Sequence, residues 1–277
     1  MKSLIIKIIG NYYNILSYFS QDYAANKALK LFTTPRKGYI KEKQADFLGT
    51  AFKEELTYNQ FPVMTYRWLG KKETILLAHG WESNASRWKK LIKQLNKSGF
   101  NVVALDAPAH GRSGSKDFNA ILYSEFIAVV AKRFKPNIII GHSVGGMSAV
   151  FFQQKYQLES VHKLVLLGAP SEFTDVMERY TNMLGYNQRI TKRIDSIIIE
   201  RFGKTSQEFS TSKIIKELNQ QSLIIHDEDD AIIPYNDAVL IHKHAQKGQL
   251  ITTKGFGHSL NNETIASYIE EFIVSEL

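Results

Sequence analysis

The sequence has no cysteine among its 277 residues. This absence excludes disulfide bonds and thiolate metal ligands, and it fits a reducing compartment. The chain also lacks internal repeats, low-complexity segments and any recognisable nucleic-acid-binding motif. Of its formal net charge of +8, six units belong to residues 1–43, which contain eight basic and two acidic residues. Because the remaining residues contribute only +2, the basic composition does not indicate DNA or RNA binding.

A long hydrophobic run is also missing, even at the amphipathic N-terminus. Residues 1–19 are too polar and too short to span a bilayer, and Gly10–Asn14 interrupts the apolar segment without a cleavage site typical of a secretory signal. The periodicity instead predicts an amphipathic helix, followed by a second helix over residues 22–32. The apolar stripe of the first helix comprises Leu4, Ile5, Ile8, Ile9, Tyr12, Ile15, Leu16 and Phe19.

This basic amphipathic helix has two interpretations. It lies on an anionic membrane surface, or it packs against its own domain or a second subunit. Packing is favoured, because such patterns are common in ordinary helices. We expect a cytoplasmic protein, and leave open peripheral contact of residues 1–19 with the inner membrane surface and assembly into a homo-oligomer.

The rest of the chain is organised around the segment Pro136–Ala149. It begins with the β-branched run Ile138–Ile140, turns at the Gly-x-Ser-x-Gly sequence around Ser143, and continues with helical spacing. Strand, tight turn and helix form the context of a nucleophile elbow, in which a serine hydroxyl stands clear of a sheet. The same pentapeptide also occurs in ordinary loops, so the assignment depends on the remaining residues.

Strand, loop and helix alternate along most of the chain. Residues 47–56 and 62–69 are predicted to form an antiparallel strand pair at the sheet edge. The later alternation predicts an α/β fold with a mostly parallel sheet and helices on both faces. Residues 171–221 interrupt it with helical stripes, which predicts a helical cap after the sixth strand. The predicted domains are an N-terminal arm (1–43), an α/β core (44–170 and 222–277) and the cap (171–221).

Serine, acid and histidine candidates follow one another at predicted strand ends. A serine needs a base to remove its proton, and a carboxylate to orient that base. His258 lies in a glycine-flanked loop after the last strand, whereas His226, His242 and His244 lie in a strand or helix. The candidates for the acid lie in the loop that follows the preceding strand. They are Asp227, Glu228, Asp229 and Asp230.

Two backbone amides are candidates for an oxyanion hole. Val144 follows the serine at the start of a helix, and Trp81 follows His79-Gly80 at another strand end. The Trp81 side chain is expected to form either a pocket wall or part of the core. His79, His110 and His142 are expected to support turns by hydrogen bonding.

Together these motifs resemble the α/β-hydrolase family. The resemblance covers residues 71–277 and rests on the sequences His-Gly at 79, Asp-x-Pro-x-His-Gly-x-Ser at 106, Gly-His-Ser-x-Gly-Gly at 141, Asp-x-x-x-Pro at 230 and Gly-x-Gly-His-Ser at 255. It implies that Ser143 is the nucleophile, His258 the general base and Asp230 the residue that orients it. Ala109 stands where many relatives have glycine. A serine at position 143 argues against dehalogenases and epoxide hydrolases of this fold.

The resemblance implies a serine hydrolase that cleaves a carboxylic ester or thioester through an acyl-enzyme. The expected partner is therefore a small acyl ester or thioester, with no metal and no organic cofactor. A carbon–carbon bond hydrolase or perhydrolase with the same triad is an alternative. A non-catalytic binding protein of the same fold is another, against which the complete triad argues.

Overall fold

The computed structural model describes residues 2–275, and its centre is one eight-stranded sheet. The strand order is β1-β2-β4-β3-β5-β6-β7-β8. The first two strands form a hairpin and β2 pairs antiparallel with β4, whereas the five pairings from β4 to β8 are parallel. The strands are β1 Phe52–Tyr58, β2 Phe61–Trp68, β3 Thr74–Ala78, β4 Asn101–Leu105, β5 Ile138–His142, β6 Lys163–Leu167, β7 Gln221–Asp227 and β8 Gly248–Thr253.

Helices connect the parallel strands, as the alternation predicts. Short 3₁₀ turns occur at Ala85–Trp88, Ser206–Glu208 and Gly257–Ser259. The α-helices are α1 Lys2–Phe19, α2 Gln21–Thr33, α3 Glu42–Gly49, α4 Lys89–Lys97, α5 Ala120–Phe134, α6 Val144–Tyr156, α7 Phe173–Leu184, α8 Gln188–Phe202, α9 Thr211–Ile215, α10 Tyr235–His244 and α11 Glu263–Val274. None of those helices is long and apolar enough to cross a membrane.

The start of the predicted edge strand pair is wrong. Residues 47–49 end helix α3 and do not extend β1. The helix is fixed at its beginning by the side chain of Gln44, which accepts the backbone N–H of Lys41. It is fixed at its end by Phe47, whose ring stacks on that of Trp68 with centroids 5.2 Å apart. Tertiary burial of Phe47 thus overrides the strand propensity of an aromatic residue.

The chain forms two compact units. The sheet unit comprises Pro35–Ser171 and the chain from Thr211 onward, and the helical unit comprises the chain up to Thr34 together with Glu172–Ser210. Helices from the predicted arm and from the predicted cap therefore fall in the same unit.

The core of the sheet unit lies on both faces of its sheet. On one face, alternate side chains of β3 and the following strands pack against α4 and α11 in a continuous cluster, which includes Leu77, Ile140, Leu95 and Ile269. Helices α5, α6 and α10 contact the strands but contribute nothing to that cluster, so they cover the opposite face. Because both faces are covered, β4, β5 and β6 are buried along their entire length.

Candidate active site

Ser143 occupies a strained turn between β5 and α6. Its backbone angles are φ 53° and ψ −128°, and residues other than glycine rarely adopt such a positive φ. The turn is tight because Gly141 lies against the first turn of α6, where an added Cβ would come within 2.4 Å of the Gly146 Cα. This is the geometry of a nucleophile elbow, and it places Ser143 at the carboxyl end of a central strand.

Asp230 and His258 form a hydrogen-bonded pair at the neighbouring strand ends. Nδ1 of His258 lies 2.7 Å from Oδ2 of Asp230. A carboxylate only accepts hydrogen bonds, so Nδ1 carries a proton, and in the neutral tautomer the lone pair is therefore on Nε2. The Asp230 carboxylate is shielded from solvent, whereas the His258 side chain is about one-fifth exposed.

A second histidine contacts the same carboxylate. Nε2 of His226, which is fully buried on β7, lies 3.3 Å from Oδ2 of Asp230 and 2.9 Å from the Ile233 carbonyl oxygen. The other carboxylate oxygen accepts the amides of Ile232 and Ile233. Burial alone would raise the pKa of Asp230, but these donors and His258 outweigh it and lower that pKa below its ordinary value. The contact of His226 with Asp230 was not predicted from the sequence, because a histidine within a strand does not indicate a catalytic or supporting role.

The other three acids of this loop have different partners. Asp227 accepts the Thr253 hydroxyl at 2.8 Å and the Phe256 amide at 3.0 Å. Asp229 accepts the Gly255 amide at 3.1 Å, and Glu228 faces Lys254 at 3.8 Å. Asp227 and Asp229 therefore hold the loop that leads to His258.

The serine and the Asp230–His258 pair meet at the end of β6. The Ser143 amide donates to the Leu167 carbonyl at 2.8 Å. At the next residue, a Cβ built on Gly168 would lie 3.4 Å from Nδ1 of His258 and 3.5 Å from Oδ2 of Asp230. Ser143, Asp230 and His258 therefore all lie beside Leu167 and Gly168, at the carboxyl ends of the parallel strands.

The loop after β3 approaches the serine closely. A Cβ on Gly80 would lie 2.9 Å from Cβ of Ser143 and 2.8 Å from Nδ1 of His142, so a side chain at this position would push the loop away. Trp81 follows Gly80 directly, and Val144 follows Ser143 as the first residue of α6. Within the part of the chain that the structure describes, neither amide donates a hydrogen bond. Two unused donors beside a serine are the requirement for an oxyanion hole.

His79 and His110 join this loop to the loop after β4. Nε2 of His79 accepts the Ala107 amide at 2.9 Å, and Nε2 of His110 accepts the Glu82 amide at the same distance. Burial lowers the pKa of both rings, which keeps them neutral and able to accept these bonds. The support of turns predicted for these histidines is therefore confirmed. The Trp81 ring packs near His110 and Phe118, with centroids 5.5 and 5.1 Å away.

His142 and Arg87 hold the backbone of the His258 turn. Nε2 of His142 lies 2.8 Å from the His258 carbonyl oxygen, and Nη2 of Arg87 donates to the Ser259 carbonyl at 2.7 Å. Burial lowers the pKa of His142 well below its ordinary value and that of Arg87 to about 9. The sequence predicts a supporting function for His142 but gives no signal for Arg87, which lies in an unremarkable helical turn.

No metal site accompanies these residues. Among residues 2–275, no group of three or more histidine, aspartate or glutamate side chains is arranged to hold a metal ion. The donors assembled around Ser143 are backbone amides and imidazole rings, which suit a developing oxyanion and a proton.

Comparison with known proteins agrees with this fold. Residues 73–193 match a family model described as the alpha/beta hydrolase fold. The chain is 26% identical over 196 residues to a human protein named serine hydrolase BPHL, covering 61% of this chain and 67% of that protein. It is 24% identical over 254 residues to the bifunctional esterase/perhydrolase DCH of Acinetobacter calcoaceticus, covering 73% and 91%.

Solved structures show the same fold. An esterase from Exiguobacterium antarcticum superposes with a TM-score of 0.62 at 15% identity, over 81% of this chain and all of that one. The sheet order and the match of residues 73–193 to the family model show the α/β-hydrolase fold, and the relatives named serine hydrolase and esterase support an enzyme of that family.

Proposed function

We propose that this enzyme hydrolyses a carboxylic ester or thioester through an acyl-enzyme on Ser143. The observation that carries the proposal is the 2.7 Å hydrogen bond between Asp230 and His258, beside the end of β6 that also accepts the amide of the strained Ser143 turn. A buried carboxylate that fixes the Nδ1–H tautomer leaves Nε2 to act as a base. The relatives named serine hydrolase and esterase support the same reaction class.

In the first half of the reaction, Oγ of Ser143 attacks the substrate carbonyl carbon. Its proton passes to Nε2 of His258, and Asp230 stabilises the imidazolium that forms. The carbonyl oxygen becomes an oxyanion, which accepts hydrogen bonds from the amides of Trp81 and Val144. The tetrahedral intermediate collapses, and the alcohol or thiol leaves with the proton from His258.

The second half reverses the proton transfers with water as the nucleophile. Nε2 of His258 takes a proton from a water molecule, and the resulting hydroxide attacks the acyl carbon. The bond to Oγ then breaks, His258 returns the proton to Ser143, and the carboxylic acid is released. The low pKa of Asp230 suits this cycle, because the carboxylate remains charged when the imidazole beside it is protonated.

A fluorophosphonate probe tests the nucleophile without knowledge of the substrate. The probe is added to the wild type, to Ser143→Ala and to the control Ser148→Ala, which removes a buried hydroxyl that donates to the Val144 carbonyl. One adduct by intact mass on the wild type and the control, and none on Ser143→Ala, is the expected result. The absence of an adduct on folded wild type would contradict the proposal and favour a non-catalytic binding protein.

A perhydrolase that uses the same triad is a second candidate, because one relative is named for both activities. It differs only in the acceptor, since hydrogen peroxide replaces water in attacking the acyl-enzyme. Measuring peracid formation from a short-chain ester with hydrogen peroxide, beside acid release without it, separates the two.

A further inference from the structure

Helix α1 packs within the helical unit through its polar and small residues. Gly10 is buried so closely against α7 that an added Cβ would lie 1.7 Å from the Leu184 carbonyl oxygen. The Asn187 amide donates to Oδ1 of Asn14 at 2.8 Å, and the Asn187 side chain donates to Oγ of the buried Ser17 at 3.0 Å. These contacts fix which face of the helix points inward.

The opposite face of α1 is apolar and exposed. Its residues recur every three or four positions and therefore lie on one stripe. Each keeps between 55% and 85% of its surface accessible. This outer stripe consists of Leu4, Ile5, Ile8, Tyr12, Ile15 and Phe19. The amphipathic pattern read from the sequence is thus real, but its apolar side faces away from the unit that holds the helix. A contiguous exposed apolar patch of this kind marks an interaction surface.

The charges around the outer stripe are positive. Residues 2–21 include lysines but no acidic residue, and Lys7 is exposed. Beside the far end of the stripe, the Arg189 guanidinium lies 5.3 Å from the centre of the Tyr18 ring. The first acidic residue, Asp22, forms an ion pair with Arg193. The surroundings of the stripe are therefore complementary to a negatively charged partner.

Exposed tyrosines accompany these cations. Tyr18 and Tyr23 are 71% and 51% exposed, and Nζ of Lys27 lies 5.2 Å from the centre of the Tyr23 ring. Tyrosine is favoured at the level of lipid headgroups, because its ring is apolar and its hydroxyl remains hydrated. An apolar stripe bordered by tyrosine and basic side chains is typical of helices that lie in the plane of a membrane interface.

We propose that the outer stripe of α1 docks the enzyme on an anionic lipid bilayer, with the helix parallel to the surface. The apolar side chains enter the boundary between headgroups and acyl chains, and Lys7, Lys27 and Arg189 meet anionic headgroups. A second copy of the chain fits this surface less well, because its own α1 offers no acidic residue to these cations.

Vesicle flotation with the full-length protein tests the proposal. Vesicles of phosphatidylcholine alone are compared with equimolar phosphatidylcholine and phosphatidylglycerol. The wild type is expected to float with the anionic vesicles, and Ile8→Gln/Ile15→Gln to lose about tenfold or more of its partition coefficient. The matched control is Phe52→Gln/Leu69→Gln, which replaces two apolar residues of the sheet unit that are similarly exposed, at 68% and 54%.

The cationic part of the proposal has its own variant. Lys7→Gln/Lys27→Gln is expected to weaken binding to the anionic vesicles about fivefold for each charge removed, and added salt should weaken wild-type binding in the same direction. Equal binding of the wild type to both kinds of vesicle would overturn the preference for an anionic surface.

Two further results would overturn the docking site itself. One is an absence of flotation with either kind of vesicle. The other is a dimer in solution by light scattering that Ile8→Gln/Ile15→Gln converts to a monomer, because a second copy would then cover the stripe. Thermal melting and fluorophosphonate labelling of every variant accompany the assay. Unchanged values mean that any loss of flotation arises at the membrane surface and not from the fold or the active site.

Discussion

At the scale of single residues, the acidic loop after β7 shows how neighbours of the same type acquire different tasks. Asp227 and Asp229 accept backbone amides of the loop before His258, whereas Asp230 contacts both His226 and His258. All three are carboxylates within four positions of the chain. They differ in the direction in which the side chain points and in how deeply it is buried.

Asp230→Asn is expected to lower kcat about 10³- to 10⁴-fold. An amide at this position no longer holds the Nδ1–H tautomer of His258 or stabilises its protonated form. Steady-state hydrolysis of a p-nitrophenyl ester measures the effect. The neighbouring variant Asp229→Asn removes an exposed carboxylate that binds one amide, and it should retain kcat within about tenfold. A larger loss in Asp229→Asn than in Asp230→Asn would contradict the assignment.

At the scale of elements, the loop after β4 contains a conformation that alanine tolerates poorly. Ala109 has φ +61°, in the left-handed region, and its amide donates to the Gly114 carbonyl at 2.9 Å. The resemblance noted in the sequence marks this position as one where many relatives have glycine. The backbone angle supplies the reason, because glycine has no Cβ to strain in this region.

Replacing Ala109 by glycine is therefore expected to stabilise the protein by up to about 1 kcal/mol. The free energy of unfolding from urea titration measures it. Ala107→Gly is the matched control in the same loop. Ala107 is fully buried and does not have a positive φ, so its substitution should destabilise by about 1 kcal/mol or more. Destabilisation by both substitutions would show that the strain at Ala109 is relieved by other contacts.

The packing of helix α1 includes one close backbone approach, at Gly10. Gly10→Ala places a methyl group against the α7 backbone and should detach the helix, although alanine favours helix formation. Hydrogen exchange of the α1 amides is expected to rise at least tenfold. Asn11→Ala, a substitution at the next and exposed position, should leave exchange unchanged or slower. If Gly10→Ala leaves exchange as slow as in the wild type, the packing of α1 does not depend on this contact.

At the scale of the whole molecule, buried neutral histidines connect stability to pH. Burial lowers the pKa of His79, His110 and His142 in the folded protein. In the unfolded chain each titrates near pH 6.5, so unfolding takes up protons below that pH. Their contribution to stability is complete above about pH 7 and is lost progressively as the pH falls below 6.5 toward the lowered pKa values of the folded protein. Burial raises the pKa of Asp106 in the folded protein, so this group releases a proton on unfolding. It offsets at most one of the protons that the histidines take up.

The free energy of unfolding should therefore decrease between about pH 7 and pH 5. The slope approaches about 1.4 kcal/mol per pH unit for each histidine that must take up a proton. Urea titrations across this range measure it, and His142→Gln should show a slope smaller by about one proton. A stability that is constant from pH 8 to pH 5 would mean that the three rings bind protons as readily in the folded protein as in the unfolded chain.

Most of the sheet unit could be predicted from the amino-acid sequence. The parallel strands and their helices follow from apolar runs bounded by glycine and proline, because a strand covered on both faces must be apolar throughout. The candidate residues follow from position, since consecutive parallel strands bring their carboxyl ends to one edge. Ser143 and His258 could therefore be selected from the sequence, whereas the choice of Asp230 among four acids rested on the resemblance of its Asp-x-x-x-Pro sequence to the family motif.

Properties that depend on contacts between distant segments could not be predicted from the sequence. These include the helical conformation of residues 47–49, the second histidine on Asp230 and the contact of Arg87 with the His258 turn. They also include which face of α1 is exposed, because the sequence identifies an apolar stripe but does not show whether that stripe faces the protein or the solvent. The exposed face is set by Gly10, Asn14 and Ser17, whose close contacts and hydrogen bonds place the polar side of the helix inward.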